Sequence, residues 1–314
     1  MSQVAIVGSL HLDILVEAPR LPLRDETLAG KSWIQKCGGK DGNQAVAAAR
    51  FGAQTAMGGR VGDDDFGRRL RANLRAAGVD DACVATDATA GSGMSVAILE
   101  ASGEYGAVIV SGANLTIDPA ALAEDWAVLW RSAVLLLQNE VPEAVNLAAA
   151  RAAREQGCRV LLNAAPARPT APGLLDLADI IVVNRVEAAA LSGLPVATRA
   201  DAETAAEALR RPGRDLIVTL GSEGLLLADR VGALLHQPAF PACQISSHGA
   251  GDCFCGALAA RLALGEHLER ACEFAGMAAA LYVAATPAEQ TALNPRDVLA
   301  ALGRTDASRQ AGQR

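Results

Sequence analysis

The run Ser246-Ser247-His248-Gly249-Ala250-Gly251-Asp252 sets two glycines and a carboxylate directly before the apolar pattern of a helix. Phe254, Leu258 and Leu262 recur every four residues behind it, and Gly265 supplies a stop. The first turn of a helix leaves backbone N–H groups unpaired and carries partial positive charge. Gly249 and Gly251 lack Cβ atoms, so that backbone can come close to an anion, and phosphate is the natural ligand. Asp252 beside such a hole has a chemical use if it takes a proton from a hydroxyl attacking a phosphoryl group. It equally fits an Asp that merely caps a helix. The N-terminal field predicts a lowered pKa for Asp252.

Further chemistry-bearing groups lie upstream. Gly38-Gly39-Lys40-Asp41-Gly42-Asn43 leads into a helix expected over Asn43–Phe51, and its donors and acceptors suit a polyhydroxylated ligand. It lacks the Lys-Ser/Thr ending of a Walker A loop, and an ordinary glycine turn reads the same way. Asp13 sits among Leu12, Ile14, Leu15 and Val16 and needs partners if buried; sugar hydroxyls would serve. Glu140 follows the apolar run Val134–Gln138, at a strand end where open parallel sheets bind ligands. Asn184 and Glu187 close another such run, with oxygens able to orient magnesium-bound water. Thr219-Leu220-Gly221-Ser222-Glu223-Gly224 is a strand and glycine turn that fits nucleotide contact. Cys253 and Cys255 point apart on a helix and read as small core residues.

The elements that must position these groups alternate along the chain. Strands are expected at Val4–Val7, Val134–Gln138, Val160–Asn163, Ile180–Asn184 and Leu216–Leu220. Helical patterns fall at Pro142–Gln156, Ala202–Leu209, Leu268–Val283 and Pro295–Leu302. Continuous apolar strands separated by helices predict an α/β fold around a parallel sheet covered on both faces. Two segments, 14–36 and 94–110, break the alternation, the second with a hairpin turn at Ala101–Glu104. Together they predict a small β-sheet lid on one domain spanning 1–303, with residues 304–314 a disordered polar tail.

Composition narrows the partners. The 314 residues are 51% hydrophobic and 20% charged, enough for a full core. With 28 Lys and Arg against 35 Asp and Glu, a net charge of −7 and only 3% aromatics, the chain offers no basic or stacking surface for nucleic acid. No apolar stretch reaches membrane-spanning length, and the opening Met-Ser-Gln-Val-Ala-Ile-Val-Gly reads as a strand. With seven scattered cysteines, a cytoplasmic location follows as the expectation. No Gly-x-Gly-x-x-Gly follows the first strand, against a nicotinamide-dependent oxidoreductase.

Taken in order, the motifs resemble the ribokinase-like (PfkB) carbohydrate kinases along nearly the whole chain. They are Val7–Asp13, Gly38–Arg50, Gly59–Gly67, Ser111–Asn114, Gln138–Pro142, Asn163–Ala167, Asn184–Glu187, Thr219–Gly224 and Gly249–Asp252. The resemblance implies a three-layer sandwich with a mostly parallel central sheet, a β lid that often mediates dimerisation, and ATP- and Mg2+-dependent phosphorylation of a sugar hydroxymethyl group such as that of D-ribose. It would put Asp13, Gly39, Lys40, Asn43 and Glu140 on the sugar. Asn184, Thr219, Gly221, Ser222 and Gly224 would face ATP, with Glu187 and Asn184 on Mg2+ through water. Gly249, Ala250 and Gly251 would form the anion hole and Asp252 the catalytic base.

The chain departs from that family in four places. Ser246 is neutral where an Asp helps hold an activating monovalent cation, and Ala284–Gln290 follows the cation loop only loosely, so K+ activation is left open. His11 replaces an Asn, which keeps another pentose, a ketohexose or a nucleoside in view as substrate. Asp41 replaces a glycine and is either solvated or able to reorient Lys40. His248 precedes the hole as a bystander. A sugar- or nucleotide-binding sensor without useful catalysis is the rival from another class.

Overall fold

The protein is described here from a computed structural model that covers residues 3–100, 102, 104–246 and 248–311. In chain order the strands are β1 (Val4–Val7), β2 (His11–Ala18), β3 (Ser32–Gly38), β4 (Thr55–Gly62), β5 (Asp80–Asp87), β6 (Gly93–Glu100) and β7 (Tyr105–Val110). They continue as β8 (Val134–Gln138), β9 (Arg159–Asn163), β10 (Ile180–Asn184), β11 (Asp215–Thr219), β12 (Leu225–Ala228) and β13 (Leu234–Gln237). A nine-stranded sheet runs β13-β12-β11-β10-β9-β8-β1-β4-β5 and is parallel except at β12 and β13. Apolar side chains leave both faces of its central strands. Leu136 packs into one core with Phe51, Met57 and Phe274, whereas Leu135 and Leu137 pack into the other with Trp126 and Val145. Helices cover both cores, giving three layers. Fully burying each such leucine stabilises the fold by roughly 1.5–3 kcal/mol.

The second sheet, ordered β3-β2-β6-β7, is the lid expected from 14–36 and 94–110. β2 begins at His11, so the lid strand carries both His11 and Asp13. Within the expected turn, Ala101 and Gly103 lie outside the described residues; the flanking β6 and β7 pair antiparallel as a hairpin requires.

Two element boundaries differ from expectation. The helix expected from Asn43 is Lys40–Arg50, because Gly39 at φ 84° turns the chain sharply enough for helical geometry to begin at Lys40. The last helix runs Pro295–Ala311, past the tail boundary placed at 304, where Ala, Arg and Gln favour continuation. No described helix is long and apolar enough to cross a membrane.

Candidate active site

The ends of β1, β8, β9, β10 and β11 and the helix Ala250–Ala263 converge on one depression. Lys40, Asn163, Asn184, Glu187, Thr219, Gly249, Gly251 and Asp252 line a pocket of about 200 Å³ there. A cleft of about 580 Å³ joins it through Thr219 and Gly251. Its walls are Gly221, Ser222, Gly224, Phe240, Phe254, Gly276, Ala279, Ala280 and Val283. Asp252 lines the compact polar pocket, and Gly251 just before it lines both that pocket and the more apolar cleft.

Gly249 caps the helix at φ 82°, and a Cβ there would lie 3.1 Å from the Tyr282 hydroxyl. Nothing lies within 4 Å of a Cβ built on Gly251, so this backbone faces open space at the helix start. Burial raises the Asp252 pKa; the charge of Lys40 and bonds from Gln44 and Asn43 oppose the rise without cancelling it, and Glu140 adds to it. The expectation of a lowered value is corrected: desolvation outweighs the helix N-terminus. Asn43 Nδ2 donates to Asp252 Oδ2 at 2.9 Å, and Gln44 Nε2 to Oδ1 at 3.0 Å.

Glu140 ties three segments together. Its Oε2 accepts the Ser9 hydroxyl at 2.5 Å and the Lys40 backbone N–H at 2.8 Å. Burial works to lower the Lys40 pKa, but Asp252, Glu140, Glu187 and Asp41 together raise it, so the ammonium stays charged. Gly39 is required: a Cβ would sit 2.8 Å from the Ser9 carbonyl oxygen. Asp13 accepts from the Ser95 hydroxyl and lies against Gly38, where a Cβ would come within 2.0 Å of Asp13 Oδ2.

His11 is buried beside this group. The Asn114 amide is oriented by accepting the Leu10 N–H and donating to the Leu10 and Ser111 carbonyls, all at 2.9 Å. Its nitrogen also lies 3.3 Å from His11 Nε2, and His11 Nδ1 lies 3.9 Å from Glu140 Oε2. Burial lowers the His11 pKa against the pull of Glu140 and Asp13, keeping it neutral at pH 7.

Asp41 is neither solvated nor turned toward Lys40. It is fully buried, its Oδ2 accepts the Ser9 N–H at 2.7 Å, and a Cβ on Gly8 would fall 1.9 Å from its carboxyl carbon. Burial and Glu140 push its pKa well above the carboxylate range, against the bonds from Ser9. The side chain occupies the space that Gly8 leaves open.

Asn184 and Glu187 form a capping box on the helix Arg185–Ser192. Glu187 Oε2 accepts the Asn184 N–H at 2.6 Å and Oε1 its Nδ2 at 2.9 Å. Glu187 lines the pocket with one of these bonds on each oxygen, so its carboxylate fits a water-clad Mg2+. Asn184 Oδ1 already accepts the Val186 and Glu187 N–H groups, so Asn184 serves by orienting Glu187. Gly224 at φ 91° is obligatory, since a Cβ would lie 2.0 Å from the Gln237 carbonyl oxygen. The Ser246 hydroxyl accepts the His248 N–H at 3.2 Å, and His248 is exposed, outside both pockets. Cys253 and Cys255 are buried in the core. Ser9, Gln44, Asn114 and Gln138 lie within the motifs of the sequence but carry no role there, and Phe240, Gly276, Ala279 and Ala280 lie outside them.

A nine-stranded α/β sandwich, a separate four-stranded lid and an Asp at a glycine-opened helix start define a carbohydrate kinase, and the chain belongs to the pfkB family carbohydrate kinases, matched over residues 1–293. The ribokinase of Bacillus subtilis (strain 168) is 35% identical over 283 residues, covering 90% of this chain and 93% of that protein. The deoxyribokinase of Salmonella typhi is 32% identical over 258 residues, 82% of this chain and 84% of that protein. The structure of Arabidopsis thaliana ribokinase complexed with ribose and ATP superposes with a TM-score of 0.89 at 31% identity, covering 95% of this chain and 97% of that one.

Proposed function

We propose that the protein transfers the γ-phosphoryl group of ATP to the primary hydroxyl of a monosaccharide, D-ribose first among them, giving ribose 5-phosphate. The observation that carries the reading is Asp252 in the polar pocket beside the open backbone of Gly251, the residue through which that pocket joins the apolar cleft. The sugar is held by Asp13, Gly39, Lys40, Asn43 and Glu140. The nucleotide lies along Thr219, Gly221, Ser222 and Gly224, with its base in the apolar end lined by Phe240 and Ala280. Asp252 accepts the hydroxyl proton as the oxygen attacks phosphorus, and the backbone N–H groups of Gly249, Ala250 and Gly251 meet the transferring charge. The raised pKa makes Asp252 a better acceptor than a solvated carboxylate, and the charge of Lys40 works against its protonation. Glu187, oriented by Asn184, would hold Mg2+ through water, and the ion would supply charge neutralisation on the phosphates.

His11 is the observation that favours a second substrate. A buried imidazole stands where the family resemblance has a smaller amide, and the likeness to a deoxyribokinase supports another pentose, with ketohexoses and nucleosides as further candidates. Two further readings are open to test. The lid exposes Trp33, Ile34, Val108 and Ile109, an apolar surface that suits a homodimer contact. Seven free cysteines and ATP as donor suit the cytoplasm.

The test is ADP release with ATP and Mg2+ over pentoses, hexoses and nucleosides, with and without potassium. Turnover highest on ribose supports the reading. Turnover highest on another sugar transfers it to that sugar, and binding of sugar and ATP with no turnover replaces it with the sensor. Potassium is expected to change the rate less than about twofold, since the Ser246 hydroxyl is neutral and already accepts a backbone N–H.

A further inference from the structure

Behind Asp252 runs a buried hydrogen-bond chain that the reaction as written does not use. Gln44 Nε2 donates to Asp252 Oδ1 at 3.0 Å, and Gln138 Nε2 donates to Gln44 Oε1. Both glutamines are fully buried, so no bulk water can substitute for either end. Gln138 is fixed in turn: it ends β8, a central strand, and its carbonyl accepts from Asn146 Nδ2 at 2.6 Å. Its own Oε1 has no partner among the described residues.

A carboxamide has two ends of like shape and opposite polarity. Turned over, Gln44 would set its oxygen against the Asp252 carboxylate and its N–H groups against those of Gln138. The Gln138 donor and the Asp252 carboxylate therefore select the same orientation of Gln44. An acceptor left unpartnered at Gln138 Oε1 is a poor arrangement for stability alone. It is what remains when the amide must present its donor to Gln44.

We infer that Gln138 and Gln44 are positioning residues that lock the polarity of the amide on Asp252, holding the carboxylate ionised and in one plane for the incoming hydroxyl. This rests on Asp252 being the proton acceptor. Asn43 holds the other carboxylate oxygen, but it also faces the sugar in the proposed reading. Gln44 and Gln138 do not, so their effect belongs on kcat and its pH dependence.

The charged and titratable groups around Asp252 are Lys40 and Asp41 on the helix Lys40–Arg50, Glu140 after β8, Glu187 on the helix Arg185–Ser192, Tyr282 on the helix Leu268–Val283, and Cys253 and Cys255 on its own helix. Substitution at Gln138 leaves all of them in place. A shift in the acid limb of kcat then reports the amide.

The experiment is the kcat–pH profile and sugar KM of the full-length enzyme with Gln138→Leu, Gln138→Glu and Asp252→Asn. Gln138→Leu is expected to lower kcat by about ten- to a hundredfold, move the acid limb to higher pH and leave KM within about twofold. Gln138→Glu keeps the shape. Protonated, it still donates to Gln44; ionised, it attracts the Gln44 N–H groups away from Asp252. Its kcat is expected near the parent's in acid and to fall as pH rises, a trend that a packing defect does not produce. If Gln138→Leu does not fold, this inverted limb alone decides. Parent-like profiles in the Gln138 variants, with Asp252→Asn inactive, overturn this inference only. An active Asp252→Asn overturns the base assignment and the inference with it.

Discussion

Asn43 and Asp252 lie 209 residues apart in sequence and are joined side chain to side chain at 2.9 Å. In the proposed reading one amide thus serves both the sugar and the base. Asn43→Ala is expected to raise sugar KM and lower kcat together, each by roughly tenfold, the equivalent of one lost charge-assisted hydrogen bond apiece. Steady-state kinetics on the best sugar checks this; a change confined to KM would separate Asn43 from the base.

His11→Asn is expected to move preference toward ribose, by about tenfold in the ratio of kcat/KM between ribose and the parent enzyme's other substrates. An unchanged sugar profile removes His11 as the selector. The same residue sets a pH effect on stability. Its folded pKa is below the usual 6.5, so the unfolded chain binds the proton more readily. Stability is lost as pH falls below that ordinary value, and part of this loss is expected to disappear in His11→Asn melts.

Asp41 has the opposite sign. Its folded pKa is raised, so the folded state holds the proton more tightly than the unfolded chain. Stability is therefore lost as pH rises from the ordinary carboxylate range through the raised value. Asp41→Asn retains an acceptor for the Ser9 N–H and has no carboxyl to ionise. Its Tm is expected to exceed the parent's by an amount that grows as pH rises above the ordinary carboxylate range. Each kcal/mol gained corresponds to about 2 °C at this chain length. A constant difference across the series would remove titration of Asp41 as the cause.

Gly249→Ala tests the anion hole. At φ 82°, with Tyr282 at 3.1 Å from the new methyl, the substitution is strained and shifts the first turn. A loss of roughly 1–2 kcal/mol in stability is expected from the backbone alone. The kcat should fall further, by about 10²–10³, as for removal of one oxyanion donor. Melting and turnover measured on one preparation separate the two.

Glycine turns, strand ends and Asp252 were legible because their chemistry is local: a positive φ at Gly39 or Gly249 needs a particular residue type whatever surrounds it. Gln138 and Gln44 were not, since they are 94 residues apart and neither amide says where its partner lies. The apolar cleft was missed for another reason. Ala279 and Ala280 contribute only the absence of bulk, which looks the same in any packed helix. Asp41 was read as surface or as a partner for Lys40, because a fully buried acid is costly and only the gap at Gly8 makes room for it.

In the proposed reading the two carboxylates that hold the sugar belong to different sheets: Asp13 to a strand of the four-stranded one, Glu140 to the turn just after a strand of the nine-stranded one. A ligand gripped by both acts as a staple between them. Without it, the catalytic acceptor has only water beside ATP, and the sheets have one fewer tie. The sugar is thus both what is phosphorylated and what completes the enclosure. Idle loss of ATP to water is restrained by the same hydroxyl groups that qualify a molecule as substrate.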